Sequence, residues 1–508
     1  MNKTKVLVLS LLTLAFCARN VHAQDPGTTV TLPVETGNNT SACSADGTPS
    51  YCNEAFPGFK TNPNNTSAQT QTVDPQPGHV SAEKLSALMY SGFTGKFLCE
   101  YQPWFDNVSP YNGHKDIGYD ENMAATVEGQ DNFMITEGCY VNFVDFYGTQ
   151  DPSQAFNLAT TVAVYKDLST RTGTPLKLGI LEDEGATIGI CDDANYTLAQ
   201  EESCVVTDIE ADMAYINTNW EPSAAFWKDG GVPVIGFFGS AANYKPFAIP
   251  AADWNTMWGE IQAYTNTFKH PFKYIFQFGS YGSPSASGGE YGWPQPAVSS
   301  ESNPQTQYWW CSPTGTACSG YLDYFYQQGA ANPSDVTVGV VYKGFDDSNA
   351  SWGSNRIIAQ QCGQVLLNTA KEISALGYFG TSNQIPYVQI ATWNDYEEGT
   401  EVETGIDNCY TISATVDQST NKVNWTLPIE TGQASYASLS TIHHFTVYYE
   451  NPSDPTQTLT VLESGISRDA TSYSLTKVPA GTWNIYVEMV GEPLILNRMS
   501  NPSTYTAP

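Results

Sequence analysis

Ile385-Pro386-Tyr387-Val388-Gln389-Ile390-Ala391-Thr392-Trp393 is a largely apolar run that breaks at once into Asn394-Asp395-Tyr396-Glu397-Glu398. A short continuous apolar run is the signature of a strand covered on both faces, the condition of a parallel sheet wrapped in helices. A sudden change to amide and acid at its carboxyl end is what a barrel enzyme places at the mouth of its strands. The reading therefore predicts the last strand of a barrel, with chemistry on the turn that leaves it.

Working outward, seven further apolar runs precede this one, at 97–104, 139–147, 176–183, 232–238, 274–278, 290–293 and 336–342. Between them lie stretches of helical period at 122–136, 153–170, 208–219, 252–268, 321–328 and 356–375. Alternating strands and helices argue for βα units and a parallel sheet. The expected fold class is α/β, a (β/α)8 TIM barrel over residues 81–408. A doubly wound open sheet is the alternative. It would carry a glycine-rich phosphate loop after its first strand, and Tyr101-Gln102-Pro103-Trp104 is nothing like one.

From residue 409 the pattern changes to alternation of period two, at 411–416, 422–427, 445–450, 458–462, 473–475 and 483–490. This predicts a small all-β immunoglobulin/fibronectin-like sandwich over 409–508. The stretch from Tyr473 to Val487, with Trp425 on an early strand, resembles a fibronectin type III module, and its aromatics read as core before ligand platform.

At the other end, Lys3 and Lys5 precede an apolar run from Val6 to Phe16, and Val21-His22-Ala23 offers a cleavage site. Residues 1–23 therefore read as a signal peptide, and the protein as secreted, extracellular or periplasmic. Residues 24–80, rich in Thr, Asn and Pro, read as a tail or linker. No run is long enough to span a bilayer. The formal charge is -31 and becomes more negative once Lys3, Lys5 and Arg19 leave, which argues against nucleic acid and anionic membranes as partners. Eleven cysteines include Cys17 of the signal, so an even number remains for disulfides. Cys43/Cys52, Cys191/Cys204, Cys311/Cys318, Cys99/Cys139 and Cys362/Cys409 are the pairings proposed. Six histidines without a cluster or a CxxC pair lead to an expectation of no metal and no cofactor.

Cleaving a glycosidic bond takes two carboxyl groups, one to protonate the leaving oxygen and one to activate water or attack. Asp395 and Glu398, three apart on the turn after the last strand, can both face the barrel mouth, while Glu397 points elsewhere. The same acids, with Glu401, Glu403 and Asp407 nearby, also read as a solvated loop or a calcium site. Other strand ends repeat the mixture of acid and aromatic: Glu100-Tyr101-Gln102-Pro103-Trp104, Asp145-Phe146-Tyr147, Glu182-Asp183-Glu184, Tyr291-Gly292-Trp293 and Lys343-Gly344-Phe345-Asp346-Asp347. Their convergence on one face predicts a carbohydrate cleft, since aromatic faces stack on sugars and a few polar groups fix the hydroxyls.

The run from Trp393 to Glu401, together with Tyr101-Gln102-Pro103-Trp104-Phe105, Val144-Asp145-Phe146-Tyr147-Gly148 and Lys343-Gly344-Phe345-Asp346-Asp347, resembles the clan of the endo-α-1,3-glucanases (mutanases) and the endo-α-mannanases and mannosidases. The resemblance covers roughly residues 85–405. It implies that Asp395 is the first acid of the motif and Glu398 the second, the general acid/base of the mannan-cleaving relatives. Those relatives carry Glu and then Trp-His where this chain has Asp395, Tyr396 and Glu397; Asp395-Tyr396 follows the glucanases, which have a small residue in place of Glu397. The expectation is a secreted glycoside hydrolase acting on an α-linked polysaccharide, first endo-α-1,3-glucan. An α-mannan hydrolase and a non-catalytic glycan-binding protein are the alternatives. Asp395 and Glu398 are the expected catalytic pair. Tyr101, Trp104, Asp145, Tyr147, Asp183, Trp293, Lys343, Asp346, Trp393 and Asn394 are the expected substrate contacts.

Overall fold

A computed structural model describes residues 29–30, 60–61, 80–105, 117–118, 121, 124–191, 195–238, 249–278, 287–295, 321–347, 350, 352–353, 356–453 and 459–508. The signal peptide, most of the tail, and the pairs Cys43/Cys52 and Cys311/Cys318 lie outside the described residues.

Eight strands form the barrel: β1 (Lys96–Tyr101), β2 (Cys139–Phe146), β3 (Lys177–Asp183), β4 (Val232–Phe238), β5 (Lys273–Gln277), β6 (Ser287–Tyr291), β7 (Val336–Val341) and β8 (Tyr387–Ile390). Each is parallel to its neighbours, and β8 returns to β1 through Val388↔Phe97 and Gln389↔Leu98. The pairing of β3 with β4, from Ile180↔Ile235 to Asp183↔Phe238, completes the circuit. The sheet is therefore a closed parallel barrel, which excludes the open doubly wound alternative.

Six helices of eleven residues or more surround it among the described residues: α1 (Ala124–Glu137), α2 (Ala155–Thr170), α3 (Leu198–Asn219), α4 (Ala251–Thr265), α5 (Tyr321–Ala331) and α6 (Gln364–Ala375). Two of their starts differ from expectation. α3 begins ten residues before 208, where Thr197 and Gln200 form a reciprocal capping box. α6 begins eight residues after 356, because Gln361 and Cys362 take positive φ (50° and 53°) and Cys362 is bonded to Cys409.

Strand alternation decides which side chains reach the barrel mouth. On β2, Asn142 donates to Asp131 of α1 and Phe146 packs on Trp220, so even-numbered residues face the helices. Phe143 fills the interior, where a Cβ on Gly179 or Gly236 would come within 3.0 and 2.5 Å of its ring. Asp145 continues that inward row to the mouth, and Tyr147 follows just beyond the strand. Two disulfides besides Cys362–Cys409, Cys99–Cys139 and Cys191–Cys204, join as proposed.

The C-terminal part is a sandwich of two antiparallel sheets. β9 (Ser413–Asp417), β10 (Lys422–Thr426) and β13 (Ser472–Ser474) make one. β12 (Leu459–Ser467), β11 (Ile442–Glu450), β14 (Gly481–Gly491) and β15 (Ser503–Ala507) make the other, with Thr29–Val30 added at the free edge of β12. Trp425 packs against Phe445 in its core, as its reading predicts. The sandwich is tied to the barrel by Cys362–Cys409 and by backbone bonds from Ser81 to Ile495 and from Ile406 to Leu494. No helix among the described residues is long and apolar enough to cross a membrane.

Candidate active site

After β8 the chain does not wander into solvent. Every residue from Ala391 to Glu397 is buried. The Trp393 amide donates to the Glu100 carbonyl at 2.6 Å, which fastens the turn to the end of β1. Asn394 adds a reciprocal clamp: its Oδ1 accepts from the Gln102 amide at 2.7 Å and its Nδ2 donates to the Gln102 carbonyl at 3.0 Å. Below the turn, Trp393 Nε1 donates to Gln130, Gln130 donates to Glu403, and the Tyr396 hydroxyl donates to the other Glu403 oxygen at 2.6 Å. A satisfied buried network of this kind rigidifies what it holds.

What it holds is Asp395 and Glu398. Asp395 Oδ1 accepts the amides of Glu397 and Glu398 at 2.9 and 3.0 Å, closing an Asx turn that brings both acids to one side. Both line a cleft of about 870 Å³ at the mouth of the barrel; Glu397, fully buried, does not line it. Burial and the neighbouring Glu398 push Asp395 well above the usual carboxylate range, against its two backbone bonds. Glu398 is raised to about 7, chiefly by burial; Arg356 pulls it down and Asp347 pushes it up. It therefore exchanges its proton near neutrality.

The wall also holds the buried carboxyls of Glu100, Asp145 and Glu184 and the half-buried one of Asp183. Glu100, bonded to Gln102 and Gln389, is raised well above its ordinary value by burial and then by Asp395. Asp145 is raised by burial and then by Asp183, and Asp183 rises to about 6 through burial. Arg356 is the single cation among the described lining residues. Trp104, Tyr147, Phe238, Trp293 and Trp352 supply aromatic surface, and Trp352 exposes 45% of itself at the rim.

Of the expected substrate contacts, Trp104, Asp145, Tyr147, Asp183 and Trp293 line this cleft. The other five do not. Tyr101 is fully buried on the helix side of β1, because alternation turns Glu100 and Gln102 inward. Lys343 is fully buried in an ion pair with Glu401 at 2.5 Å. Trp393 packs against Phe133 of α1, and Asn394 is consumed by its clamp. Asp346 lends its amide to the Glu398 carbonyl at 2.7 Å, so its backbone supports the site. The acids Glu401, Glu403 and Asp407 are engaged with Lys343, with Tyr396 and Gln130, and with Arg498. The cluster is thus internal structure and not a solvated loop.

The residues missed are Trp352 and Arg356, from the excursion between β7 and α6. Arg356 reaches Asp347 at 2.7 Å and lies over Phe345. Assigning 356 to a helix hid it.

No protein-family model and no curated protein matches the chain. Among solved structures, it is similar to the GH99 endo-alpha-mannosidase of Bacteroides thetaiotaomicron in complex with BIS-TRIS-propane, at 16% identity, 61% of this chain and 87% of that one, with a TM-score of 0.41. A second structure of that enzyme gives 15% identity, 61% and 88%, and a TM-score of 0.40. A glycoside hydrolase-like protein gives 12% identity, 62% and 88%, and a TM-score of 0.40.

Proposed function

We propose that the chain is a secreted glycoside hydrolase acting on an α-linked glycan, with Glu398 as general acid and Asp395 as general base or charge stabiliser. The observation that carries this reading is the pair itself: a buried and a half-buried carboxyl opening from one rigid turn into an acid- and aromatic-lined cleft, both raised, Glu398 to about 7. A general acid must hold its proton at working pH, and burial raises both carboxyls; the choice of Glu398 as the acid rests on its place as the second acid of the motif. A cleft so rich in carboxyls repels anions, while the ring faces of Trp104, Tyr147, Trp293 and Trp352 suit the apolar faces of a neutral sugar. The three disulfides support an oxidising compartment.

Two glycans fit the reading. Asp395-Tyr396 follows the glucanase pattern and supports α-1,3-glucan. The endo-alpha-mannosidase name borne by two similar structures agrees with α-mannan, the other expectation. At TM-scores of 0.41 and 0.40 it does not choose the substrate. The C-terminal sandwich we read as a fibronectin type III-like module, supported by its two antiparallel sheets packed around Trp425.

A reducing-sugar assay on α-1,3-glucan, yeast mannan and dextran tests the proposal. Hydrolysis of one of them, lost in Asp395→Asn and Glu398→Gln, is the expected result. Binding without product release identifies a glycan-binding protein instead, and near-normal hydrolysis by either variant removes the assignment of that residue.

A further inference from the structure

A second candidate lies outside the cleft, where the chain ahead of β1 meets the sandwich. Glu83, His443 and His444 converge there, each nearly buried, with side-chain exposures of 8, 4 and 6%. Successive residues of a strand normally point to opposite faces. Here β11 carries a bulge: Ile442 pairs with Gly491 and His444 with Val490, so His443 is an extra residue. A bulge of this kind re-aims a side chain. Its effect is to bring both imidazoles to one point, Nδ1 to Nδ1 at 2.9 Å.

Glu83 Oε1 lies 3.4 Å from His443 Nδ1 and 3.8 Å from His444 Nδ1. Ligands held at about 2.0–2.1 Å around a tetrahedral ion stand about 3.3 Å from one another. The three separations bracket that value. A dipositive ion satisfies all three donors together. The set of two imidazoles and one carboxylate suits zinc and its neighbours in the first transition row.

The surroundings orient His444 for this task. Its Nε2 meets Ser464 Oγ at 3.3 Å, and Ser464 Oγ meets Thr446 Oγ1 at 2.9 Å. An Nε2–H donated to Ser464 leaves the Nδ1 lone pair turned toward Glu83. Ligating histidines are commonly fixed through the second ring nitrogen in this way. None of the three residues lines the catalytic cleft. We propose that Glu83 Oε1, His443 Nδ1 and His444 Nδ1 bind a divalent transition-metal ion of the zinc class, which fastens the sandwich to the chain entering the barrel. This revises the expectation of no metal, which had no means to join Glu83 to residues so distant in sequence.

Full-length protein, stripped with a chelator and dialysed, would be titrated with zinc chloride by calorimetry and with cobalt(II) by visible absorption. One equivalent of each is expected to bind, cobalt giving the intense absorption of a four-coordinate site. Loss of an outer-shell partner costs about 10–100-fold in affinity, so Ser464→Ala should weaken binding by that factor and Glu83→Gln or His443→Gln by at least about 100-fold. Wild-type protein that binds no stoichiometric metal, or shows only weak six-coordinate cobalt absorption, overturns the proposal whatever the variants do. So does unchanged affinity in a variant whose circular dichroism shows it folded.

Discussion

Glu398→Gln separates acid catalysis from every other role of this side chain. With its value raised from 4.5 to about 7, Glu398 is about 90% protonated at pH 6 and about 10% at pH 8. Activity on polysaccharide should therefore fall through an alkaline limb near 7, close to tenfold between those two values. Glutamine keeps the shape but cannot give up a proton, and losing a general acid costs about 10²–10⁴-fold. An aryl glycoside with a strongly acidic leaving group needs no protonation, so the variant should cleave it at near wild-type rate and without the alkaline limb. Stability adds a second sign. A carboxyl raised in the folded state binds more protons there than in the unfolded chain between pH 4.5 and about 7, so its contribution falls as pH rises through that window. Glu398→Gln should match the wild type in melting temperature at pH 4 and exceed it at pH 8. Equal losses on polysaccharide and aryl glycoside, or no loss on either, would refute the assignment of Glu398 as the acid.

Three further outcomes follow from named contacts. Arg356→Leu removes the cation that lowers Glu398, so the alkaline limb of kcat/KM should move upward in pH, and a downward or absent shift contradicts the electrostatic account. Lys343→Met strands the fully buried Glu401 and should cost about 3–5 kcal/mol in urea unfolding, whereas Lys343→Met with Glu401→Gln should recover much of that; equal costs would deny the pairing. Replacing Cys362 and Cys409 together by serine opens a loop closed over 47 residues, a loss of up to about 4 kcal/mol in the chain-entropy account, with the melting temperature as its measure.

The barrel was legible because a doubly covered strand can be little else than a short apolar run. All eight runs became strands, and their order closed without a crossover error. Helix boundaries were less legible where polarity masked them. The first turns of α3 are Leu198-Ala199-Gln200-Glu201-Glu202-Ser203, which show no apolar face, yet the Thr197 and Gln200 cap was present in the sequence and marks the true start. β15 (Ser503–Ala507) was missed because alternating Ser, Thr and Tyr at a chain end does not distinguish a paired strand from a tail.

The site divides along the same physical line. Asp395 and Glu398 were legible because they share one turn, so spacing alone fixes their relation. The expected contacts that do not line the cleft, Tyr101 and Trp393 above all, were chosen as aromatics at strand ends without asking which side of the strand each occupies. Counting by twos inward from Phe143 selects Asp145 and Tyr147, and the same parity on β1 selects Glu100 and Gln102 over Tyr101. That information was in the sequence. Trp352 and Arg356 are another matter, because their place over the cleft follows from the pairing of Phe345–Asp346 with Ile357–Ile358. That short ladder folds the β7 excursion back on itself and carries Arg356 to Asp347 and Glu398. No local pattern announces a two-residue ladder, so the cation that lowers Glu398 comes from the part of the chain least open to sequence reading.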